Sequence, residues 1–296
     1  MSLYPSQPVR VGLAQFAVNP SPERNQQTAL AALRELGERG AQIACLPEVH
    51  NAPYFPVLAR DGAQEHALEQ WYVEDRSSYM GELAAVAAKY RMVVLVPVLQ
   101  RSELRSAEGY PLMWNRVVVL GTQGDILGKY SKTHIPQDPG YFEKDYFAAA
   151  PLNYQSFATP YGRIGALICY DQWFPEAARA SVLAGADILF YPTAIGWLDG
   201  YEHHDENWEN AWQTVQRAHG IANGCHIVAV NRIGREGEIE FFGHSFVSDA
   251  FGNVRYDAAQ RCENAVVEID LSMNPRVREG WGFLLNRRPD TYGPLL

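Results

Sequence analysis

The sequence predicts an α/β fold, and three observations support this. Short runs rich in β-branched residues alternate with longer amphipathic segments along all 296 residues. No Pro/Ser-rich linker or low-complexity tract interrupts the alternation, so residues 1–296 are expected to form a single domain. Several of the strand-like runs are apolar at every position, which places them in a sheet covered by helices.

The elements are predicted from the hydrophobic period. Strands are predicted at 9–18, 41–48, 92–101, 115–131, 163–170, 187–194 and 225–234, followed by hairpins over 238–257. The segment 115–131 is predicted as two strands joined by a turn at 122–125. Helices are predicted at 23–40, 77–91, 175–186 and 205–224. Ser77 or Ser78 suits a helix cap, Pro175 suits a first helical turn, and Gly224 suits a helix end.

Composition excludes several classes of partner. The chain has 25 Lys and Arg against 34 Asp and Glu, a net charge of -9, and no basic cluster, so no nucleic acid partner is expected. No segment approaches the roughly 18 consecutive apolar residues of a membrane span. Because the N-terminus also lacks a signal-peptide pattern, we expect no membrane partner and a cytoplasmic location. The four cysteines are far apart and lack zinc-site spacing, which predicts free thiols.

Cys169 has a distinctive position. It ends the apolar run "ALIC" and precedes "YDQWFPE", where a strand gives way to a turn and a helix, and α/β folds place reactive groups there. The N–H groups of the following helix would favour a thiolate and an oxyanion beside it. An apolar neighbourhood is also typical of an inert structural thiol, so the cysteine alone leaves both interpretations open.

A cysteine nucleophile needs a proton acceptor, usually a histidine. None of the eight histidines has the pattern of a base, although His134 in "KTHIP" is a candidate. The run "HHDE" at 203–206 lacks metal-ligand spacing, so no metal site is predicted. Glu48 closes the strand-like "ACLPE", and Lys132 follows the strand "ILGKYS". Taken singly, each charge at a strand end is ordinarily just solvated.

Taken together and in order, these residues resemble a known family. "CLPE" with Glu48, "GKYSKTHIP" with Lys132 and "ICYDQWFPE" with Cys169 are similar to the catalytic motifs of the nitrilase superfamily of carbon-nitrogen hydrolases. Further similar segments are "VGLAQF", "PGYFEKDYF", "YPTAIG", "ANG", "VNRIG" and "RRPDTYG". Within the superfamily the sequence most resembles the N-carbamoylputrescine amidohydrolase branch, although it has Tyr170 where a Trp is typical. "EVHNAPYF" and "WLDGYEHHDENW" also depart from that branch and are expected to border the substrate pocket.

The resemblance implies a four-layer α-β-β-α sandwich and a Glu-Lys-Cys triad. It implies that Cys169 is the nucleophile and that Glu48 is the general base. Lys132, kept cationic by two carboxylates, would stabilise the oxyanion together with the backbone N–H of Tyr170. Glu143 in "GYFEK" would orient Lys132 and the incoming water.

The resemblance further implies a small-molecule substrate. N-carbamoylputrescine would be hydrolysed to putrescine, carbon dioxide and ammonia, with no metal or organic cofactor. Its cationic tail would need a carboxylate or an aromatic wall, and the candidates, which suit packing equally well, are Tyr54, Trp173, Glu176 and Trp197. The first arginine after the cysteine motif is Arg179, on the predicted helix, so a substrate carboxylate has no evident partner.

Several alternatives stay open. The substrate could instead be an N-carbamoyl amino acid, β-ureidopropionate, an ω-amide or a nitrile. The protein could be a catalytically silent relative that acts as a binding protein, or a Cys-His hydrolase with His134 as its base. Members of the family associate through helices near the active site and through C-terminal tails, so we expect a homodimer or a larger even-numbered homo-oligomer, with residues 281–296 packing at a subunit interface.

Overall fold

A computed structural model describes residues 8–60, 68–152, 154–200 and 207–295, and within them two six-stranded sheets carry the fold. The first sheet contains, in spatial order, β15 (Glu263–Ile269), β1 (Val9–Gln15), β2 (Ile43–Cys45), β3 (Val93–Arg105), β4 (Pro111–Leu120) and β5 (Ile126–Ser131). The second contains β14 (Val254–Asp257), β13 (Phe246–Ser248), β10 (His226–Val230), β8 (Ile188–Pro192), β7 (Gly162–Ala166) and β6 (Phe157–Thr159). A small third sheet is formed by β11 (Ile233–Glu236), β12 (Ile239–Phe242) and β9 (Gly196–Leu198).

Both large sheets have the same plan. Each has three parallel strands at its centre, β1-β2-β3 in the first and β10-β8-β7 in the second, with antiparallel strands on either side. Parallel neighbours need a crossover connection, and helices provide it in both sheets. The helices are α1 (Pro22–Glu38), α2 (Ser78–Tyr90), α3 (Pro175–Leu183), α4 (Trp208–Asn223) and α5 (Met273–Trp281). This repeated crossover is the source of the alternation seen in the sequence.

Alternate residues of the central strands belong to different layers of the core. In β3, Val93 and Leu95 pack into the core between the two sheets, while Val94 and Val96 pack into a second core with α1 and α2. Successive side chains of a strand point to opposite faces, so a strand buried on both faces must be apolar throughout. Helices α3 and α4 cover the second sheet, and the four-layer α-β-β-α sandwich predicted from the sequence is confirmed.

The helix ends follow the predicted chemistry. The Ser77 hydroxyl accepts the Met80 N–H at 3.2 Å and caps α2. Pro175 occupies the first turn of α3. Helix α4 ends at Gly224 in the left-handed conformation, with φ of 57°, which glycine adopts at low cost. All three predictions are confirmed.

Several predicted strands end earlier than expected, and two of these differences shape the site. β2 stops at Cys45, three residues before Glu48, and β7 stops at Ala166, three residues before Cys169. The chain cannot stay extended there, because Val49 and Cys169 both have a φ of 44°. Glu48 and Cys169 therefore lie on turns beyond the strand ends rather than on the strands.

The C-terminal segment exposes large apolar side chains. The side chains of Trp281 and Leu285 are 58% and 87% exposed. Their packing against a second subunit, expected from the sequence, stays a prediction. In the portions of the chain that the structure describes, no helix combines the length and apolarity needed to cross a membrane.

Candidate active site

The two sheets bring together three residues that are far apart in the sequence. Glu48 follows β2, Lys132 follows β5 directly, and Cys169 follows β7. The thiol of Cys169 is subject to the charges of Glu48, Lys132 and Glu143. All four residues therefore belong to one site. Glu48, Lys132 and Cys169 lie beyond strand ends of both sheets, the kind of position where α/β folds place their ligands, and Glu143 begins a short 3-10 helix over Glu143–Asp145.

Lys132 lies between two carboxylates. Its Nζ donates to Glu48 Oε1 at 2.9 Å and to Glu143 Oε2 at 2.6 Å, and all three side chains are completely buried. Burial alone lowers the pKa of Lys132, but the charges of Glu143 and Glu48 outweigh burial and the net shift is upward. The ammonium group therefore stays charged at neutral pH, as the sequence comparison implied.

The two oxygens of the Glu48 carboxylate have different surroundings. Oε1 accepts from Lys132 and from the Asn115 side-chain amide, the latter at 2.6 Å. Oε2 is buried and accepts no hydrogen bond from any residue that the structure describes. A buried carboxylate oxygen without a donor is costly, so such oxygens are rare in folded proteins. Oε2 is consequently available to receive a proton.

Glu143 is held from the side opposite Lys132. The Tyr54 hydroxyl donates to Glu143 Oε1 at 2.5 Å, and the Tyr54 ring packs edge-on against Tyr141 and Phe241. Burial raises the pKa of Glu143, and the Lys132 charge and the Tyr54 hydrogen bond oppose that rise. Tyr54 therefore helps to keep Glu143 ionised.

Replacing Tyr54 by phenylalanine should lower kcat by about 10-fold, because a hydrogen bond to a charged group contributes about 1.5–3 kcal/mol. The loss of that bond raises the pKa of Glu143 further, so Glu143 becomes protonated at a higher pH than in the wild-type protein. The acid limb of the kcat/KM profile should therefore move to higher pH. The matched control is Tyr79→Phe, which removes a buried hydroxyl bonded to His50 outside the Lys132 cluster; equal effects of both changes would contradict this role of Tyr54.

Cys169 begins a tight turn. It is the first residue of a 3-10 helix over Cys169–Trp173, and its side chain is 5% exposed. Asp171 closes the turn, since its Oδ2 accepts the Ile168 N–H at 2.9 Å and the Tyr130 hydroxyl at 2.7 Å. The φ of 44° at Cys169 is a conformation that non-glycine residues seldom adopt and that clusters at functional sites.

The expectation that a helix favours a thiolate at Cys169 is wrong. Helix α3 begins only at Pro175, and the shorter 3-10 helix lies between. Burial and the charge of Glu48 raise the pKa of Cys169 well above its ordinary value, while Lys132 opposes them. The raised pKa favours a protonated thiol at Cys169, so any nucleophilic role of this residue would need a base.

A cavity of ≈ 380 Å³ opens at Cys169. Its described lining is mostly apolar and aromatic, and consists of Pro136, Asp138, Pro139, Tyr141, Cys169, Tyr170, Gln172, Trp173, Ile195, Leu198 and Trp208. Asp138 is the only Asp, Glu, Lys or Arg in that set. The cavity has the size and character of a small-molecule site.

The structure separates the four residues proposed to contact the substrate. Trp173 lines the cavity, whereas Tyr54 lies behind Glu143. Glu176 is exposed on the first turn of α3 and lines a different surface cavity, so the structure does not bring this substrate-binding candidate to the cavity beside Cys169. Trp197 lies outside the lining because Leu198, its neighbour in β9, takes the inward position, and alternate residues of a strand face opposite sides.

His134 is engaged elsewhere. Its Nδ1 is 2.8 Å from Asp171 Oδ1, and its ring stacks on Phe174 with 3.7 Å between the ring centroids. Neither contact involves Cys169. This arrangement offers no support for a Cys-His pair.

Sequence reasoning missed three residues of the site. Asn115 bonds Glu48, Asp171 closes the nucleophile turn, and Asp138 lines the cavity. The signal for Asn115 is an uncharged polar residue in a strand that is apolar apart from Asn115 and Arg116. Asp171 stands two residues after Cys169, but nothing in the sequence reveals that its carboxylate bonds the Ile168 N–H, the Tyr130 hydroxyl, and both the backbone N–H and the ring of His134.

The described residues include no cluster of three or more His, Cys, Asp or Glu arranged to hold a metal ion. The run "HHDE", with His203 and His204, lies outside the described residues.

Comparison with known proteins identifies the class. The carbon-nitrogen hydrolase family profile matches residues 10–279, and the chain belongs to this family. An N-carbamoylputrescine amidase of Oryza sativa subsp. japonica is 37% identical over 97% of this chain and 94% of its own length. A citrullinase of Francisella tularensis is 29% identical over 97% of this chain and 98% of its own. The crystal structure of a carbon-nitrogen hydrolase from Helicobacter pylori G27 has a TM-score of 0.87 and 33% identity, and the match covers 97% of this chain and 98% of that one.

The protein is thus an amidohydrolase that acts on carbon-nitrogen bonds, and the resemblance to the nitrilase superfamily is confirmed. Within the family it is similar to N-carbamoylputrescine amidases.

Proposed function

We propose that this enzyme hydrolyses N-carbamoylputrescine to putrescine, carbon dioxide and ammonia. The observation that carries the proposal is the cavity beside Cys169, whose described walls are mostly apolar and aromatic and include Asp138 as their one Asp, Glu, Lys or Arg. An ammonium ion is stabilised by aromatic faces and by a carboxylate. The names of the plant relatives support the same substrate.

The cavity disfavours substrates that carry a carboxylate. Citrulline, N-carbamoyl amino acids and β-ureidopropionate all have one, and proteins bind such groups with Arg or Lys. The described lining contains neither. This lining favours a cationic amine over these acids.

In the first step the Cys169 sulfur attacks the ureido carbonyl carbon. Glu48 Oε2 accepts the thiol proton and passes it to the departing nitrogen, so that putrescine leaves and a carbamoyl-thioester stays on the enzyme. Lys132, fixed between Glu48 and Glu143, stabilises the oxyanion together with the backbone N–H of Tyr170.

In the second step water hydrolyses the thioester. Glu48 removes a proton from the water, the carbon-sulfur bond breaks, and the proton returns to Cys169. The released carbamic acid decomposes to carbon dioxide and ammonia. Glu143 assists by holding Lys132 in place through the 2.6 Å ion pair.

A substrate panel tests the proposal. Ammonia release is measured with N-carbamoylputrescine, citrulline, β-ureidopropionate and an ω-amide at equal concentrations. We expect kcat/KM to be highest for N-carbamoylputrescine. A higher value for either carboxylate-bearing ureide would overturn the substrate assignment and leave the enzyme class intact.

Asp138→Asn should raise KM for N-carbamoylputrescine by roughly 5- to 10-fold with little change in kcat. The reason is the loss of one partly solvated ionic contact, which contributes about 1 kcal/mol or slightly more. N-butylurea, which lacks the ammonium group, should show no change in KM. Glu176→Gln is the matched control, because this acid lies outside the cavity lining; an equal rise in KM with Glu176→Gln would refute a specific role for Asp138.

A further inference from the structure

We propose that Arg232 is a positioning residue that fixes the proton acceptor Glu48. Arg232 lies two residues beyond β10, is completely buried, and is absent from the described cavity lining. It therefore acts on the reaction only through other residues. The proposal rests on the role of Glu48 given under Proposed function.

The turn that carries Glu48 is strained. Val49, the next residue, has a φ of 44°. A β-branched side chain in the left-handed region is a genuine outlier, and such a conformation persists only where surrounding contacts enforce it. Since Glu48 adjoins this residue, relaxation of the turn would move its carboxylate.

Arg232 supplies the enforcing contacts. Its Nη2 donates to the carbonyl oxygens of Glu48 and Val49, at 2.5 and 2.8 Å, and its Nη1 donates to the carbonyl oxygen of Ala52 at 3.3 Å. A single planar guanidinium thus binds three carbonyl oxygens of one short segment. The ammonium of a lysine cannot match this fork geometry.

The charge of Arg232 is balanced by a residue that leads back to the same site. Glu236 Oε1 accepts from Arg232 Nη1 at 2.9 Å, and Glu236 Oε2 accepts the Tyr54 N–H at 2.7 Å. The Tyr54 hydroxyl bonds Glu143, which binds Lys132, which in turn binds Glu48. This series of hydrogen bonds therefore begins at the backbone of Glu48 and returns to the side chain of the same residue. Arg232 anchors the backbone end.

The experiment is a double-mutant cycle between Arg232→Lys and Glu48→Gln. The readout is the single-turnover rate at which N-carbamoylputrescine carbamoylates Cys169, followed by mass spectrometry. Arg232→Lys alone should slow carbamoylation by about 10- to 100-fold with KM nearly unchanged, because an ångström-scale misplacement of a catalytic group has effects of that size. In the Glu48→Gln background the same change should cost less than about 2-fold, because the base that Arg232 positions is already lost.

Arg278→Lys is the matched control. Arg278 also donates to main-chain carbonyl oxygens, those of Asn223 and Ala186, and pairs with Asp187. It should lower thermal stability without changing the carbamoylation rate of the folded enzyme. Equal rate losses from Arg232→Lys and Arg278→Lys would show a general structural effect and overturn the proposal.

Two further results would refute the proposal in distinguishable ways. If Glu48→Gln carbamoylates at the wild-type rate, the assignment of Glu48 as the base fails, and the positioning role fails with it. If Glu48→Gln carbamoylates slowly, and adding Arg232→Lys lowers its rate by the same factor as in the wild-type background, only the positioning role fails. Should Arg232→Lys not fold, Glu236→Gln takes its place in the cycle. With Glu48 present, Glu236→Gln should slow carbamoylation by a smaller factor than Arg232→Lys. In the Glu48→Gln background, it should not slow carbamoylation further.

Discussion

Cys169→Ala should lower ammonia release by at least about 10⁴-fold, since removal of a catalytic nucleophile has effects of this order or larger. Cys169 is the only cysteine in the described cavity lining, so no second thiol is placed to replace it. The mass increase expected for the carbamoyl-enzyme should also disappear. Both are measured on the same preparation, by ammonia assay and intact-protein mass spectrometry.

Cys225→Ala is the control for loss of a buried thiol. Cys225 is completely buried, and burial raises its pKa to about 12, so it resembles Cys169 in environment and differs in lacking the Glu48 and Lys132 neighbours. It should keep wild-type turnover and lose about 1 kcal/mol of stability. Retention of more than about 1% activity in Cys169→Ala would rule out thioester catalysis at this residue.

Glu48→Gln should slow carbamoylation of Cys169 by about 10²- to 10⁴-fold, the range typical of general base catalysis. The glutamine carbonyl oxygen can still accept from Lys132 and Asn115, so the packing is kept while the proton acceptor is lost. Burial, the largest cause of the raised pKa of Cys169, is kept in this variant, so the thiol still needs a base. Rapid-quench mass spectrometry measures the step directly.

His134→Asn provides the contrast. The asparagine amide can still donate to Asp171, so the contact made by His134 Nδ1 is retained while the imidazole is removed. We expect a change of less than about 3-fold, far below the effect of Glu48→Gln. The reverse ranking would establish the Cys-His alternative instead.

The sequence predicted the architecture and the reacting residues for different reasons. The alternation of strands and helices follows from crossover connections, and the helix ends follow from local chemistry at Ser77, Pro175 and Gly224. Glu48 and Lys132 were identified by the ordered resemblance to a family, because each residue taken singly has an ordinary explanation.

The hydrogen-bond partners and the cavity lining of the site could not be predicted, because they depend on contacts between residues that are distant in the sequence. The bonds from Asn115 to Glu48 and from Tyr54 to Glu143 span 67 and 89 residues of sequence. The substrate contacts were inferred from proximity to motifs along the chain, which misplaced Glu176 and Trp197. Proximity in sequence does not determine which side of a strand or helix turn a side chain occupies.

The ion cluster around Lys132 allows the net charge of the buried site to stay constant during acylation. In the state with Glu48 and Glu143 ionised and Cys169 protonated, which needs a pH above the raised pKa of Glu143, the buried group carries one net negative charge. In the proposed acylation step, transfer of the thiol proton to Glu48 moves that charge to sulfur, and attack on the substrate moves it to the oxyanion, while the total is unchanged. Bringing an additional charge into a dry interior would be expensive. The acylation step therefore needs no ion or proton from solvent, and a site closed to water can still carry it out.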